Sequence, residues 1–554
     1  MSETLTHPPL PSEGSAPEGR TDRWAVWRSP AGQPRWARPA LLGIAAAATV
    51  LYAWNLPRAD YAPLYSQAVK GMSESWKALL YGAVDANATV TLDKLAGSFV
   101  PQAISARIFG YHAWSLALPQ VIEGVISVLV MYRVVRRWAG VVPGLLAAGI
   151  FAFTPVAASM FGHSMEDGAL VMCLVLAADA YQRAAREARL RSLVWAGVWV
   201  GLGFQAKMLQ AWMILPALAI GYLLTAPTGL RRRLKHLGVA GVVMVVVSLS
   251  WIALYTFTPA SARPAINGTT NNSAITMVFG HNGLGRLGIN LPGTVPNNGR
   301  VRAVVGPGQH LTPGELGGAR GNGPDGPPGE APDAGPKAGG DPATGPKEGG
   351  AWNQLLAGRL GIAIGWLYPL TLLALLCGLW WRRHAERTDP ERGGMVMWGV
   401  WLVTFGLAFS VTAVPHTAYV ASLAPPVAAL SGMGIVWFWR AYRGGGGQAW
   451  LLPLVIVAEM VWVAWLWSGY PGFLPWAFWS TLVLGAAAIV LLALARVAKP
   501  ASTAVVTAGL TVGVAAILAA PATYAASVLD PEYSGNSFDA NAGPVVVKGV
   551  EQGG

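Results

Sequence analysis

Residues 113–137 read AWSLALPQVIEGVISVLVMYRVVRR. From Ala113 the run is apolar but for Ser115, Gln120, Glu123 and Ser127, and it closes on Arg133, Arg136 and Arg137. About 20 helical residues cross the roughly 30 Å of membrane hydrocarbon, and a helix that is apolar all round has no face to offer water. The stretch 113–135 therefore reads as a membrane span whose basic end stays in the cytoplasm. The same pattern repeats outward in both directions, near 39–57, 141–160, 166–183, 192–207, 208–225, 235–257, 357–381, 394–413, 417–439, 449–468, 474–496 and 502–523. The expected fold class is thus an all-α polytopic membrane protein of about 13 transmembrane helices. Between 192–207 and 208–225 the only break is Ala206, Lys207 and Met208, so a single re-entrant pair is the alternative there. Composition agrees: 53% of the 554 residues are hydrophobic and 12% charged, half the roughly 25% charged residues of soluble domains. Cys173 and Cys377 both lie in apolar runs, which excludes a disulfide framework and a cysteine-based metal site.

Charge placement gives the orientation. With the amino terminus inside, the inner segments carry 24 of the 39 Lys and Arg residues, and the short outer connections carry only Lys207. This predicts a multi-pass plasma-membrane protein with a cytoplasmic amino terminus and an extracytoplasmic carboxyl terminus. The net charge of +12 is spread over these loops and forms no clustered basic face, so no nucleic-acid partner is expected. Residues 1–38 read as a disordered cytoplasmic tail, 39–257 as a catalytic membrane module with a first outer loop at 58–112, and 258–356 as a long outer loop. Within that loop 317–350 is a Gly/Pro-rich spacer; 357–523 holds the remaining spans and 524–554 an extracytoplasmic tail.

The first outer loop has pattern. Tyr61, Leu64, Tyr65, Ala68, Val69, Met72, Trp76, Leu79 and Leu80 recur at helical spacing, with Lys70, Glu74 and Lys77 on the other side. This predicts an amphipathic helix in the membrane interface, followed by a second over Leu95 to Phe109. Acidic residues gather on the same face: Asp60, Asp85 and Asp93, then Glu166 and Asp167. Carboxylates there can hold a divalent cation, Mg or Mn, for which Asp60 and Asp93 are the candidates, or take a proton from an attacking hydroxyl. Lys94 and Lys207 are candidates to neutralise a phosphate; Lys207 defies the charge bias and is flanked by Gln205 and Gln210. Asp93 is equally placed to cap the following helix. Asn271, Asn272, Asn282 and Arg286 can recognise sugar or phosphate, or simply form turns. Glu123, Asp179 and Glu459 lie within spans, where helix pairing is the preferred reading.

Taken in order, YSQAVKGMSESW (65–76), TLDKLAG (91–97), QVIEG (120–124), GFQAKMLQAW (203–212), RPAINGTTNNS (263–273), FGHNGLGR (279–286) and PHTAYVASLAPP (415–426) resemble the family 39 glycosyltransferases of the GT-C superfamily, in their actinobacterial branch. That family contains the protein O-mannosyltransferases and aminoarabinose transferases. The resemblance implies transfer of a sugar from a polyprenyl-phosphate sugar donor to an acceptor protein, lipid or cell-wall glycan on the outer face, with Asp60, Asp93 and Asp167 as catalytic acids. It places Lys94 beside Asp93 and Glu166 beside Asp167, and matches Lys207 to the family's Lys-Met block and His416 with Tyr419 to its His-Tyr block; Lys94 and Lys207 are thus the candidates for the donor phosphate, and Glu166, His416 and Tyr419, with Gln210, Asn271, Asn272 and Arg286 from the residue reading, those for substrate contacts. A plain hydrogen bond to a carbonyl is the other reading of His416. The chain departs from the family in carrying Leu95-Ala96 where the family has Pro-Pro after the acid-Lys pair. A single displacement would invert the anomeric carbon. The rival class, a transporter or lipid flippase, calls for repeated blocks with broken helices at mid-bilayer, and the sequence shows no repeated block.

Overall fold

The computed structural model describes residues 27–62, 64–287, 289–295, 352–412, 414, 416–497 and 503–544. Ten helices among them are long and apolar enough to cross a membrane: Ala37–Arg58, Ala113–Ala139, Asp167–Glu187, Leu230–Phe257, Gly358–Trp381, Pro390–Val411, Thr417–Gly444, Gly447–Trp467, Pro475–Arg496 and Thr503–Leu529. The protein is a multi-pass membrane protein, and no described residue forms a strand beyond isolated bridges. The three other expected spans are helical but short or interrupted, so the count of thirteen is not reached on length and composition. The first breaks into Val141–Ala152 and Pro155–Met160, because Pro155 cannot donate to the preceding turn. The other two meet at Met208, whose backbone turns to φ +47° between Leu190–Lys207 and Leu209–Trp212. Most of tail 1–38 and all of spacer 317–350 lie outside the described residues.

Thr417–Gly444 is the central helix, buried over its whole apolar window. Gly432 lets it approach the 141–152 helix closely: a Cβ there would lie 2.8 Å from the Ala147 nitrogen and 2.9 Å from the Pro143 carbonyl, the small-residue contact that membrane helices use in place of a hydrophobic driving force. At the end carrying the basic loops, buried Asp179 is ringed by Arg133, Arg137 and Arg183 at 2.8, 2.7 and 3.1 Å. That is the interhelical pairing expected of it. Glu459 likewise crosses between helices, accepting the Leu370 N–H at 2.7 Å.

At the opposite end the loops form a cap. The expected first amphipathic helix is present in two pieces, Tyr65–Glu74 and Trp76–Tyr81. They separate at Ser75, whose backbone is extended and whose hydroxyl accepts the Ala78 N–H. The second helix starts at Phe99, four residues later than the spacing predicts, so Asp93 and Lys94 lie in a bend and Asp93 caps nothing. Val69, Met72, Leu92, Phe99 and Leu116 give this cap an apolar core of its own. The Thr91 N–H to Ala265 carbonyl bond, 2.9 Å, ties it to the loop after Phe257.

Asn87 at the cap end and Gln448 at the basic end are both exposed. In a variant lacking Cys173 and Cys377, a cysteine at Asn87 is expected to react with an impermeant thiol reagent in intact cells, and one at Gln448 only after lysis. The reverse pattern overturns the orientation.

Candidate active site

Three segments converge under the cap. The bend before Phe99 supplies Lys94, the start of helix Asp167–Glu187 supplies Glu166 and Asp167, and the end of helix Leu190–Lys207 supplies Lys207. Lys207 Nζ lies 2.5 Å from Asp167 Oδ2 and 3.2 Å from Glu166 Oε1. Lys94 Nζ reaches the same Glu166 carboxylate at 3.2 Å. Each ammonium also rests on an aromatic face, Lys94 on Tyr65 at 4.4 Å and Lys207 on Tyr419 at 3.8 Å. Lys94, Asp167 and Lys207 are 7, 2 and 5% exposed, so these charges survive burial only through one another. Ser98 locks the segments in register by donating to the Glu166 and Ala206 carbonyls, 2.8 and 3.1 Å away.

Burial alone would raise the Glu166 carboxyl, but Lys94 and Lys207 outweigh it and hold it at about 2. Burial likewise opposes the Lys94 charge, and the carboxylate attraction of Glu166 overcomes it, so the ammonium persists well above the usual lysine range. Burial lifts the Tyr65 phenol to about 12. Burial, aided by repulsion from Lys207, depresses the His416 imidazole to about 4, which leaves it neutral at physiological pH.

Residues 98–251 match the family model of dolichyl-phosphate-mannose-protein mannosyltransferases, a stretch that holds Glu166, Asp167 and Lys207. Over 558 aligned residues the chain is 32% identical to YkcB of Bacillus subtilis (strain 168), named as a candidate mannosyltransferase, with 91% of this chain and 76% of YkcB covered. The chain belongs to this family. It is a membrane glycosyltransferase of the GT-C superfamily, family 39. A second relative at this level is YycA of the same organism, also named as a candidate mannosyltransferase, 30% identical with 93 and 80% covered. The fold is shared with ArnT from Cupriavidus metallidurans, solved bound to undecaprenyl phosphate: TM-score 0.50, 16% identity, covering 88% of this chain and 76% of that one.

Of the residues that family membership singled out in the sequence, Lys94, Glu166, Asp167, Lys207 and Tyr419 come together. Asp93 adjoins them. One of its carboxylate oxygens, Oδ1, is buried and accepts no hydrogen bond among the described residues, while its carbonyl is held by Asn282 Nδ2 at 2.6 Å. Gln210 props the Tyr419 carbonyl at 3.2 Å. His416 stands beside Tyr419, ring centroids 6.2 Å apart. Three others do not join. Asn271 bonds Thr276 and the Pro292 carbonyl, Asn272 binds Arg263 and the Ile266 N–H, and both brace their own loop. Asp60 bonds Ser537 in the carboxyl-terminal segment. The Arg286 side chain lies outside the described residues.

A divalent ion does not fit the residues present. Among the described residues no group of three His, Cys, Asp or Glu side chains is placed to hold one, the Asp60 carboxylate is taken up by Ser537, and the Glu166 and Asp167 carboxylates are already met by two ammonium groups. Sequence reasoning also missed Tyr65, Ser98 and Gly168. A Cβ on Gly168 would lie 2.1 Å from Gln120 Oε1 and 3.0 Å from Glu123 Oε2, so only glycine admits those two polar side chains beneath Asp167. Glu123 Oε2 is buried without a partner, unlike the pairing expected of it.

The folded Glu166 pKa of about 2 lies below its ordinary 4.5, so its share of stability is complete above about pH 4.5 and is lost as pH falls toward 2. The thermal midpoint of the purified protein should fall across that window. Glu166→Gln should lower it at pH 7 and make the acid slope shallower; an unchanged slope contradicts the assignment.

Proposed function

We propose that this enzyme transfers a sugar, with mannose the leading candidate, from a polyprenyl-phosphate donor to an acceptor hydroxyl at the cap face, and that this face is extracytoplasmic. The observation that carries the reading is the pair of buried lysines beside one buried, unpaired carboxylate oxygen on Asp93. An ammonium has three N–H donors, so pairing with Glu166 and Asp167 does not exhaust Lys94 and Lys207. A phosphate oxygen entering between them meets preorganised positive charge in a site of low dielectric. The bond from the anomeric carbon to the phosphate oxygen breaks as the acceptor oxygen bonds the opposite face of that carbon. The acceptor proton passes to Asp93, and the polyprenyl phosphate leaves with the bonding electrons, held by the lysines.

An apolar cavity of about 270 Å³ supports a lipid-linked donor. Ile44, Leu146, Phe153, Trp366 and Leu518 line it, next to the break at Thr154-Pro155, from which the chain runs on to Glu166. Such walls offer an isoprenoid tail the surroundings it has in the bilayer. The buried Asp93 oxygen favours an enzyme over a transporter, because an unpaired acceptor at the end of the bundle serves proton abstraction and gives no path across it.

A general base contributes about 10²–10⁴-fold in rate. Asp93→Asn keeps size and shape, so it should fold and bind donor while losing turnover by a factor in that range, measured as polyprenyl phosphate release by purified enzyme. Near-normal release from Asp93→Asn places the base elsewhere, with Asp167 next in line.

A further inference from the structure

After Leu529 the chain continues as a strap held by Asp60, Ser159, Ser164 and Thr417. Its contacts join two places far apart in the sequence. At one end Asp60 accepts the Ser537 N–H at 3.0 and 3.1 Å through its two carboxylate oxygens, and the Ser537 hydroxyl at 2.7 Å. Ser164 donates to that same hydroxyl oxygen at 3.0 Å, and Ser159 to the Ser534 carbonyl at 2.6 Å. At the other end Asp539 accepts the Thr417 N–H and hydroxyl at 2.7 and 2.6 Å, and Arg359 lies 3.1 Å from its second oxygen. Phe538 packs edge-on to the His416 ring at 4.5 Å.

The strap is stiff in itself. Asn536 Oδ1 takes the N–H groups of both Phe538 and Asp539 at 2.8 Å. Gly535 has φ +77°, and a Cβ there would stand 2.6 Å from Ser159 Oγ, so the bend needs glycine on two counts. Thr417, which Asp539 holds, opens the turn Thr417–Leu423. That turn carries Tyr419 against Lys207.

We infer that Asp60 is a positioning residue: it anchors the strap Ser534–Asn541, and the strap, through Asp539 and Phe538, fixes the turn that sets Tyr419 under Lys207. This rests on the proposed reading of the lysine site for its catalytic consequence, but the anchoring itself does not. Asp60 follows the first span directly, the place from which a catalytic acid was expected, yet each of its described hydrogen bonds goes to the strap. Ser537 is 4% exposed, so its N–H would be left unsatisfied without the Asp60 carboxylate.

The test uses the full chain in detergent with Asp60→Ala, Ser537→Ala, their double variant and Asp60→Asn. Amide exchange of 534–541 and release of polyprenyl phosphate from polyprenyl-phosphate mannose are followed together. Asp60→Ala and Ser537→Ala should each speed strap exchange about tenfold and reduce turnover in proportion, with the double variant no worse than the weaker single. Asp60→Asn keeps an oxygen for the Ser537 N–H and should retain most of both. Strap exchange at the wild-type rate in Asp60→Ala overturns the inference, as does lost turnover in Asp60→Asn with the strap still protected, which would make Asp60 a proton acceptor. If the wild type releases nothing from this donor, the proposed function fails, and the exchange rates alone still decide the anchor.

Discussion

Two lysines and two carboxylates buried together constrain everything around them. Removing one partner from a buried ion pair typically costs about 3–5 kcal/mol, a large share of the whole stability of a domain, so Lys94, Glu166, Asp167 and Lys207 must arrive at one point or none can stay charged. They come from three separate segments, and each segment is shaped for delivery. The cap helix starts late and leaves Lys94 in a bend. The span Asp167–Glu187 begins at the site itself. The helix bearing Lys207 stops there, at a residue with positive φ.

The rest of the bundle makes that convergence rigid. The central helix 417–444 enters the membrane straight from the turn that holds Tyr419, and close approach at Gly432 fixes it against the 141–152 helix. At the far end, Asp179 and its three arginines hold helices Ala113–Ala139 and Asp167–Glu187 together. The same two helices pack Gln120 and Glu123 beneath Asp167. Charge pairing thus ties this helix pair together at the basic end, while at the other end the ion pairs join Asp167–Glu187 to the helix Leu190–Lys207.

Hydropathy made the spans legible because about 20 apolar residues have few other uses. Lys207 was legible because a lysine on the lysine-poor face has to be explained. The interruptions were not: Pro155 sits in a run whose hydropathy never falls, and the turn at Met208 depends on packing that no single-residue preference records. The Asp60 contact was out of reach for a related reason. The position of Asp60 after the first span suggested chemistry, while its partner Ser537 lies 477 residues away, a separation that no local pattern can bridge. Asn271 and Asn272 illustrate the ambiguity of Asn-rich stretches, which are polar both where they bind sugars and where they close turns.

The central claim is that the buried lysines form a seat for the donor's phosphate. Equilibrium binding of polyprenyl phosphate to the purified wild type, Lys94→Met and Lys207→Met tests it directly. A charge-assisted hydrogen bond contributes about 1.5–3 kcal/mol, or roughly tenfold to a hundredfold in affinity. The account predicts a loss of that size in each variant, confirmed as folded by its thermal transition. Wild-type affinity in folded Lys94→Met and Lys207→Met would show that the lysines serve only to neutralise Glu166 and Asp167.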